Sequence, residues 1–112
     1  MLDPASRDIE RYMDLVAMRQ KLVAANIANA HTPGYKTRDI DFQFEYQAAL
    51  EGSKPDVIEA PGLKSRNDGN NVSLDRELRL LAENAIRFNA ASSFWKGEYR
   101  QIKSAIQEGK NG

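Results

Sequence analysis

The side chains that could carry chemistry in this sequence are one histidine, sixteen carboxylates and the polar groups beside its glycines. To act as a base or a metal ligand, His31 would need a nucleophilic hydroxyl or converging carboxylates, and no sequence motif supplies either. Asp39 and Asp41 flank Ile40, but no apolar setting marks out a carboxylate pair for acid–base catalysis. Residues 69–71 lack the Lys and Ser or Thr of a phosphate-binding loop. We therefore expect no enzyme activity, no cofactor, no metal site and no small-molecule substrate.

The composition excludes further classes of function. The 112 residues include 16 Lys and Arg against 16 Asp and Glu, so there is no net charge with which to hold nucleic acid. There is no cysteine, which excludes a disulfide framework and a thiolate metal site. No apolar run approaches the roughly 18 residues of a membrane span, so we expect no membrane-spanning segment. The first residues also lack the basic and apolar regions of a cleaved signal peptide.

Glycine and proline divide the chain, which we interpret as a single domain over 1–112, into three parts. These helix breakers are scarce at both ends and concentrated in the middle. The pattern predicts helices over 4–30 and 73–108 and an irregular central segment over 31–72. The central breakers are Pro33, Gly34, Gly52, Pro55, Pro61, Gly62 and Gly69.

The central segment offers two local structures at its start. Residues 40–46 alternate apolar and polar side chains like a half-buried strand, whereas the aromatic spacing after a candidate cap at Asp41 fits a short helix. Residues 52–72 are rich in turn signals and predict a mobile connection. The turn at 32–35 ends the first helix, and we expect it to direct the central segment away from the helices.

Both predicted helices carry mainly apolar positions at alternating steps of four and three residues, the heptad pattern of coiled coils. We call each series a seam. The first seam is Ile9, Met13, Val16, Gln20, Val23, Ile27 and Ala30. The second is Leu74, Leu78, Leu81, Ala85, Phe88, Ser92, Trp95, Tyr99, Ile102 and Ile106. We interpret their apolar members, apart from Ala30 and Ala85, as the helix-packing or assembly interface.

The fold class predicted from these seams is mainly α. Two long helices, roughly 40 and 50 Å at 1.5 Å per residue, form an antiparallel coiled-coil-like hairpin joined by the irregular segment. Pairing the two seams leaves six apolar side chains uncovered: Tyr12, Leu15, Leu22, Leu80, Ile86 and Phe94. Either the central segment or other subunits must cover them. The segment is polar and long two-helix units rarely stand alone, so we favour other subunits.

Two asparagines, Asn26 and Asn29, lie in a second, half-polar stripe of the first helix. Asparagine is unfavourable inside a helix because its amide competes for backbone hydrogen bonds. Either the two residues fray the helix end, or they fix the register between packed helices as a buried asparagine does in coiled coils. The residues alone leave both interpretations open.

The end of the first helix resembles the N-terminal signature of flagellar rod and hook proteins. The residues that carry the resemblance are Ala25, Asn26, Ile27, Ala28, Asn29, Thr32, Pro33, Gly34 and Tyr35. Three further segments, 38–42, 68–72 and 81–84, resemble the proximal rod branch of that family. The chain departs from the signature at His31, where the family more often has Asp or Asn.

The resemblance implies a structural subunit of the drive shaft of the bacterial flagellar basal body, without catalytic activity and required for motility. Its partners would be further copies of the chain, the related rod protein FlgC, other rod proteins, the adaptor FliE and the flagellar export apparatus. It would reach a periplasmic location through type III export, without a cleaved signal peptide. The alternative function is a small coiled-coil adaptor or export chaperone of a secretion system, which would have the same seams.

Overall fold

The structure, a computed structural model, describes residues 4–111 and is an elongated, mainly helical molecule of 71 × 25 × 17 Å. The elements in chain order are α1 (Pro4–Ala28), β1 (Arg38–Asp39), α2 (Phe42–Leu50), β2 (Ile58–Glu59) and α3 (Leu74–Asn111). The predicted fold class is therefore confirmed, because long helices stand at both ends of the chain and a largely irregular segment connects them. The first helix ends two residues earlier than predicted, and the last continues three residues further.

Helices α1 and α3 pack side by side in opposite directions. Asn26 contacts Glu77 and Gln20 contacts Asn84, so residue numbers rise along one helix as they fall along the other. At 1.5 Å per residue, the 38 residues of α3 span about 57 Å, and the 25 of α1 about 37 Å. The two helices thus form the predicted antiparallel hairpin, with one arm longer than the other.

Of the two local structures predicted at the start of the central segment, the strand over 40–46 is wrong, because the strand here, β1, covers only 38–39 and residues 42–46 belong to helix α2. Residues 38–39 pair antiparallel with 58–59, Arg38 opposite Glu59. A short helix then starts after Asp41, whose Oδ1 accepts a hydrogen bond from the Phe44 N–H at 3.2 Å. The helix prevails over 42–50 because this cap satisfies a free amide at its start.

Helix α2 packs on α1 instead of extending away from it. The rings of Phe42 and Tyr46 meet Tyr12 edge-on, with centroids 5.5 and 5.9 Å apart, and Leu15 is buried. The expectation that the turn directs the central segment away from the helices is therefore wrong. The aromatic face of α2 has apolar surface to bury, and α1 provides it.

Of the six apolar side chains left over by the seams, two are covered within the chain, two stay largely exposed, and the remaining two, Leu22 and Leu80, are half-buried. Tyr12 and Leu15 lie against the chain's own central segment, so the preference for other subunits is wrong for them. Ile86 and Phe94 on α3 remain 69% and 60% exposed. For those two, residues 4–111 provide no comparable cover.

Candidate assembly surface and the polar junction beside it

A buried polar junction joins α1, β1 and α3, and Asn26 is its centre. The Asn26 Nδ2 donates to the Arg38 carbonyl at 2.8 Å and to Glu77 Oε1 at 3.0 Å. Its Oδ1 accepts from the Tyr35 hydroxyl at 2.9 Å and from the Arg38 N–H at 3.0 Å. Asn26 is fully buried, and all four of its hydrogen-bonding positions are used. The side chain fixes α1 against both the central segment and α3.

Two arginines hold a buried carboxylate next to Asn26. Arg19 donates to both oxygens of Asp39 at 2.9 Å, and Arg76 also donates to Asp39. Burial alone would raise the pKa of Asp39. Hydrogen bonds from Arg19 and from the Ile40 N–H, with the charge of Arg19, outweigh burial and lower that pKa below its ordinary value. Asp39 is thus an ionised anchor between α1 and α3.

Glu77 is the second buried carboxylate of the junction. Its Oε1 accepts from Asn26 and, at 2.8 Å, from Arg76, while its Oε2 has no hydrogen-bond partner within residues 4–111. Burial raises the pKa of Glu77 above its ordinary value, and the nearby Arg76 charge only partly offsets this. The junction therefore contains two carboxylates whose pKa values move in opposite directions.

The end of α1 is capped by side chains that lie about forty residues further along the chain. The Asn70 Nδ2 donates to the carbonyls of Asn29 and Thr32 at 2.9 and 2.8 Å, and Arg66 donates to the Ala30 carbonyl. The carbonyls of Asn29 and Thr32 also accept bonds from backbone N–H groups of the turn, so Asn70 adds a second bond to each and ties the loop to the helix end. Residues 62–72, predicted as part of a mobile connection, are bound to the helix end.

A close approach between two glycines holds this loop against the turn after α1. The Gly34 N–H donates to the Asp68 carbonyl at 2.8 Å. Gly69 has a φ of +85°, and a Cβ there would lie 3.3 Å from the Gly34 Cα. The positive φ therefore favours glycine at position 69, and a Cβ there would also press against the Gly34 backbone.

The structure separates the residues of the predicted signature into three roles. Asn26 and Tyr35 belong to the junction, while Asn29 and Thr32 bond to each other at the turn, 3.1 Å apart. Asn29 also donates to the Ala25 carbonyl of its own helix, at 2.9 Å. The remaining members lie along the helix end and turn: Ala25, Ile27, Ala28, Pro33 and Gly34. Of the two asparagines, only Asn26 spans the helix pair.

The seam of α3 is not buried against α1. Polar Glu77 and Asn84 face α1, and their partners are Asn26 and Gln20. Two aromatic or aliphatic seam residues, Trp95 and Ile102, are half-buried. The exposed seam residues keep between 37% and 56% of their surface accessible: Leu74, Leu78, Leu81, Phe88, Tyr99 and Ile106. The α1 seam does the reverse, because Val16 and Val23 are buried and Ile9, Met13 and Ile27 half-buried.

Beside the exposed seam, an open groove follows the contact between α1 and α3. One part, about 510 Å³, is lined by Val16, Ala17, Gln20, Lys21, Ala24, Asn84, Ala85, Phe88 and Asn89. The next part along the same helices, about 490 Å³, is lined by Glu10, Met13, Asp14, Ser92, Trp95 and Lys96. We call the two parts together the α1–α3 groove. Its walls are mainly apolar, with charged side chains at intervals along the α1 rim.

Sequence reasoning missed the junction residues Arg19, Asp39, Arg76 and Glu77 and the capping residues Arg66 and Asn70. The half-polar stripe of α1 was the available signal, since polar side chains inside a packed helix face require polar partners. In the described part of the chain, no group of three acidic or histidine side chains is placed to hold a metal. Among the described residues, no helix combines the length and apolar character needed to cross a membrane.

Comparison with known proteins gives one consistent result. The sequence profile of the family described as "Flagella basal body rod protein" matches residues 15–36, which include Arg19, Asn26 and Tyr35. The chain is 32% identical to the flagellar basal body rod protein FlgB of Escherichia coli strain K12, over 96% of each chain. It is 30% identical to the FlgB of Yersinia ruckeri, over 96% of this chain and 97% of the relative. With the FlgB of Bacillus subtilis strain 168 the identity is 26%, over 93% and 94%.

Proposed function

Because this chain belongs to the FlgB family of flagellar basal body rod proteins, we propose that it is a structural subunit of the proximal rod. Its work there is mechanical. The subunit transmits torque through contacts between helices, so its chemistry is that of packing and not of catalysis. The buried carboxylates Asp39 and Glu77 fit this role because both are already bonded within the junction.

The observation that carries the proposal is the outward seam of α3. Side chains such as Leu78 and Phe88 keep 56% and 37% of their surface exposed in the single chain. Fully burying a side chain of this size stabilises a contact by about 1.5–3 kcal/mol. A seam of ten positions repeated along a helix matches the surface of another helix, as in coiled coils. Neighbouring subunits therefore complete the packing that the hairpin leaves open.

The partners and location in this proposal follow from the family. The neighbours are further copies of the chain, FlgC, other rod proteins, and, at the base of the rod, FliE and the export apparatus. The subunit is exported without a cleaved signal peptide and assembles in the periplasm. A coiled-coil adaptor or export chaperone is not favoured, because the relatives compared above are rod proteins.

The test is a clean deletion of the gene, followed by imaging of basal bodies and a motility assay. We expect rods to be absent and motility to be lost, and wild-type complementation to restore both. Completed rods in the deletion strain would refute the proposed function.

A seam variant then tests how the subunit acts. Phe88→Ala with Trp95→Ala should fail to complement, because truncation of a buried aromatic side chain costs about 3–5 kcal/mol in each subunit. The matched control is Ser93→Ala with Gln101→Ala, which changes two exposed α3 residues outside the seam. Normal swimming by the Phe88, Trp95 double variant would show that the seam is not an assembly surface.

A further inference from the structure

The chain contains a single Asp–Gly pair, Asp68–Gly69, in the loop over 62–72 that closes on the end of α1. An aspartate followed by glycine is prone to an internal reaction, because glycine has no side chain to shield its amide nitrogen from the neighbouring carboxyl group. Asp68 is exposed to water, which the reaction requires. Asp68 is not part of the buried junction, so this reactivity is a separate property of the loop.

The reaction is an isomerisation with no net change of atoms. The Gly69 nitrogen attacks the side-chain carboxyl carbon of protonated Asp68, and the new C–N bond closes a succinimide ring. The carboxyl hydroxyl group leaves with the amide proton as water. Water then reopens the ring at the former backbone carbonyl, breaking the bond between that carbonyl and the Gly69 nitrogen. The product is isoaspartate, in which the chain continues through the side-chain carboxyl carbon and the former backbone carbonyl is a free carboxylate.

The folded loop holds both reacting groups in other bonds. The Gly69 N–H donates to the Arg66 carbonyl at 2.9 Å, so the attacking nitrogen is directed at that carbonyl. The Asp68 Oδ1 accepts from the Asn70 N–H, also at 2.9 Å. The Asp68 carbonyl accepts from the Gly34 N–H at 2.8 Å, which fixes the backbone between the two groups. Ring closure therefore has to break several hydrogen bonds that the folded loop makes.

Asn70 locks the residue that follows the reactive pair. Its side chain is fully buried, and its Nδ2 donates to the carbonyls of Asn29 and Thr32 at 2.9 and 2.8 Å. Its Oδ1 accepts from the Val72 N–H at 2.8 Å. The loop can therefore release the Asp68 and Gly69 backbone only in a local opening that separates it from the end of α1.

Isoaspartate at position 68 would prevent the loop from closing. It adds one carbon to the main chain between residues 68 and 69, a lengthening of about 1.5 Å. The carbonyl that accepts the Gly34 N–H would no longer belong to the main chain. The Asn70 amide would move relative to the carbonyls of Asn29 and Thr32, and bonds of 2.9 and 2.8 Å do not stretch by that amount.

We propose that Asp68–Gly69 is a site of spontaneous aspartate isomerisation, and that closure of the loop on the end of α1 suppresses the reaction. A chain whose loop is closed is protected. A chain whose loop stays open accumulates isoaspartate and then lacks the backbone needed to close. The site limits how long an open chain remains able to reach this fold, and it does not depend on the rod function.

The test is to incubate the full chain near neutral pH, in buffer and in guanidinium chloride, and to measure isoaspartate by electron-transfer fragmentation of tryptic peptides. Trypsin cleaves after Arg66 and Arg76, so one peptide contains both Asp68 and its internal control Asp75, which precedes an arginine. Isoaspartate should form at position 68 about tenfold faster in denaturant, because several hydrogen bonds protect the folded loop together. Asp75 should stay largely unchanged. No isoaspartate at position 68 in denaturant, or equal rates in both conditions, would overturn the proposal.

A pair of variants then tests whether the contact with α1 provides the protection. In buffer, Asn70→Ala should isomerise about tenfold faster than the unmodified chain, whereas Asn67→Ala, an exposed asparagine of the same loop, should not. Exchange of the Gly34 amide hydrogen, measured by NMR, reports closure of the loop in the same samples. Equal rates in the two variants, or fast isomerisation while the Gly34 amide stays protected, would overturn the proposal.

Discussion

Replacing Asn26 with alanine should destabilise the chain far more than the same change at Asn29, three residues along the chain and just past the end of α1. Both asparagines belong to the same sequence signature, and both lie near the end of α1. Only Asn26 is fully buried and bonded to other elements. The pair therefore provides a variant and its control with identical chemistry.

The magnitude follows from the groups that each substitution leaves without a partner. Asn26→Ala removes the partners of the Arg38 N–H, the Arg38 carbonyl and the Tyr35 hydroxyl. A buried polar group left unpaired costs about 1–3 kcal/mol, and water entering the space recovers part of it, so we expect a loss of about 4 kcal/mol. In Asn29→Ala the Ala25 carbonyl keeps its bond from the Asn29 N–H, so the loss should stay below about 1 kcal/mol.

The assay is urea unfolding followed by far-UV circular dichroism, with linear extrapolation to zero denaturant. The slope of the unfolding free energy with denaturant should be the same for both variants, since both expose the same overall surface on unfolding. A third variant, Asn26→Asp, keeps the size and the acceptor but replaces the donor to Glu77 with an oxygen. It should be as damaging as alanine. If Asn26→Ala and Asn29→Ala differed by less than about 1 kcal/mol, the junction would not hold the helices together.

Three further predictions test the two carboxylates and the glycine contact. The lowered pKa of Asp39 means that its ionised form stabilises the folded chain above pH 3.8, and that this contribution is lost as the pH falls. Asp39→Asn should therefore lower the free energy of unfolding by about 3–5 kcal/mol near neutral pH, and by less in acid. A difference between the two proteins that does not change with pH would refute this. For Glu77 the pH dependence has the opposite sign. Because its pKa is raised above 4.5, its contribution to the free energy of unfolding is lost as the pH rises. Glu77→Gln should reduce that loss of stability in the same urea series. Gly69→Ala should lower the unfolding free energy by about 1–2 kcal/mol more than Gly52→Ala does. Both glycines have positive φ, but only at position 69 would a Cβ press against another residue, the backbone of Gly34. Equal effects of the two substitutions would contradict this close approach.

The periodic parts of this fold were predictable from sequence, and the choice of which face turns inward was not. Apolar spacing predicts that 74–106 is a helix, because side chains three and four residues apart share one side of it. It does not reveal that Glu77 and Asn84 face α1 while Leu78 faces outward. That rotation follows from Asn26, whose buried amide requires polar partners, and from Gln20, whose half-buried amide bonds to Asn84.

The side chains that cap the end of α1 could not be predicted from the sequence, for a different reason. Arg66 and Asn70 bond to backbone carbonyls, and a carbonyl carries no sequence signal of its own. Turn signals correctly mark 62–72 as irregular. They carry no information about which distant helix end the loop will contact, because that contact exists only once the chain has folded.

The junction also determines when the chain can fold. The Asn26–Glu77 bond closes a loop of 51 residues, and Asp39 must meet Arg76 across 37. Closing loops of this length costs chain entropy that a local helical contact does not, so native folding waits for the two ends of the chain to meet. While the chain emerges from the ribosome, α1 exists without the partner for its buried amide until α3 has been synthesised. The first half of the protein on its own should therefore remain largely unfolded, and the last helix decides when the whole chain becomes native.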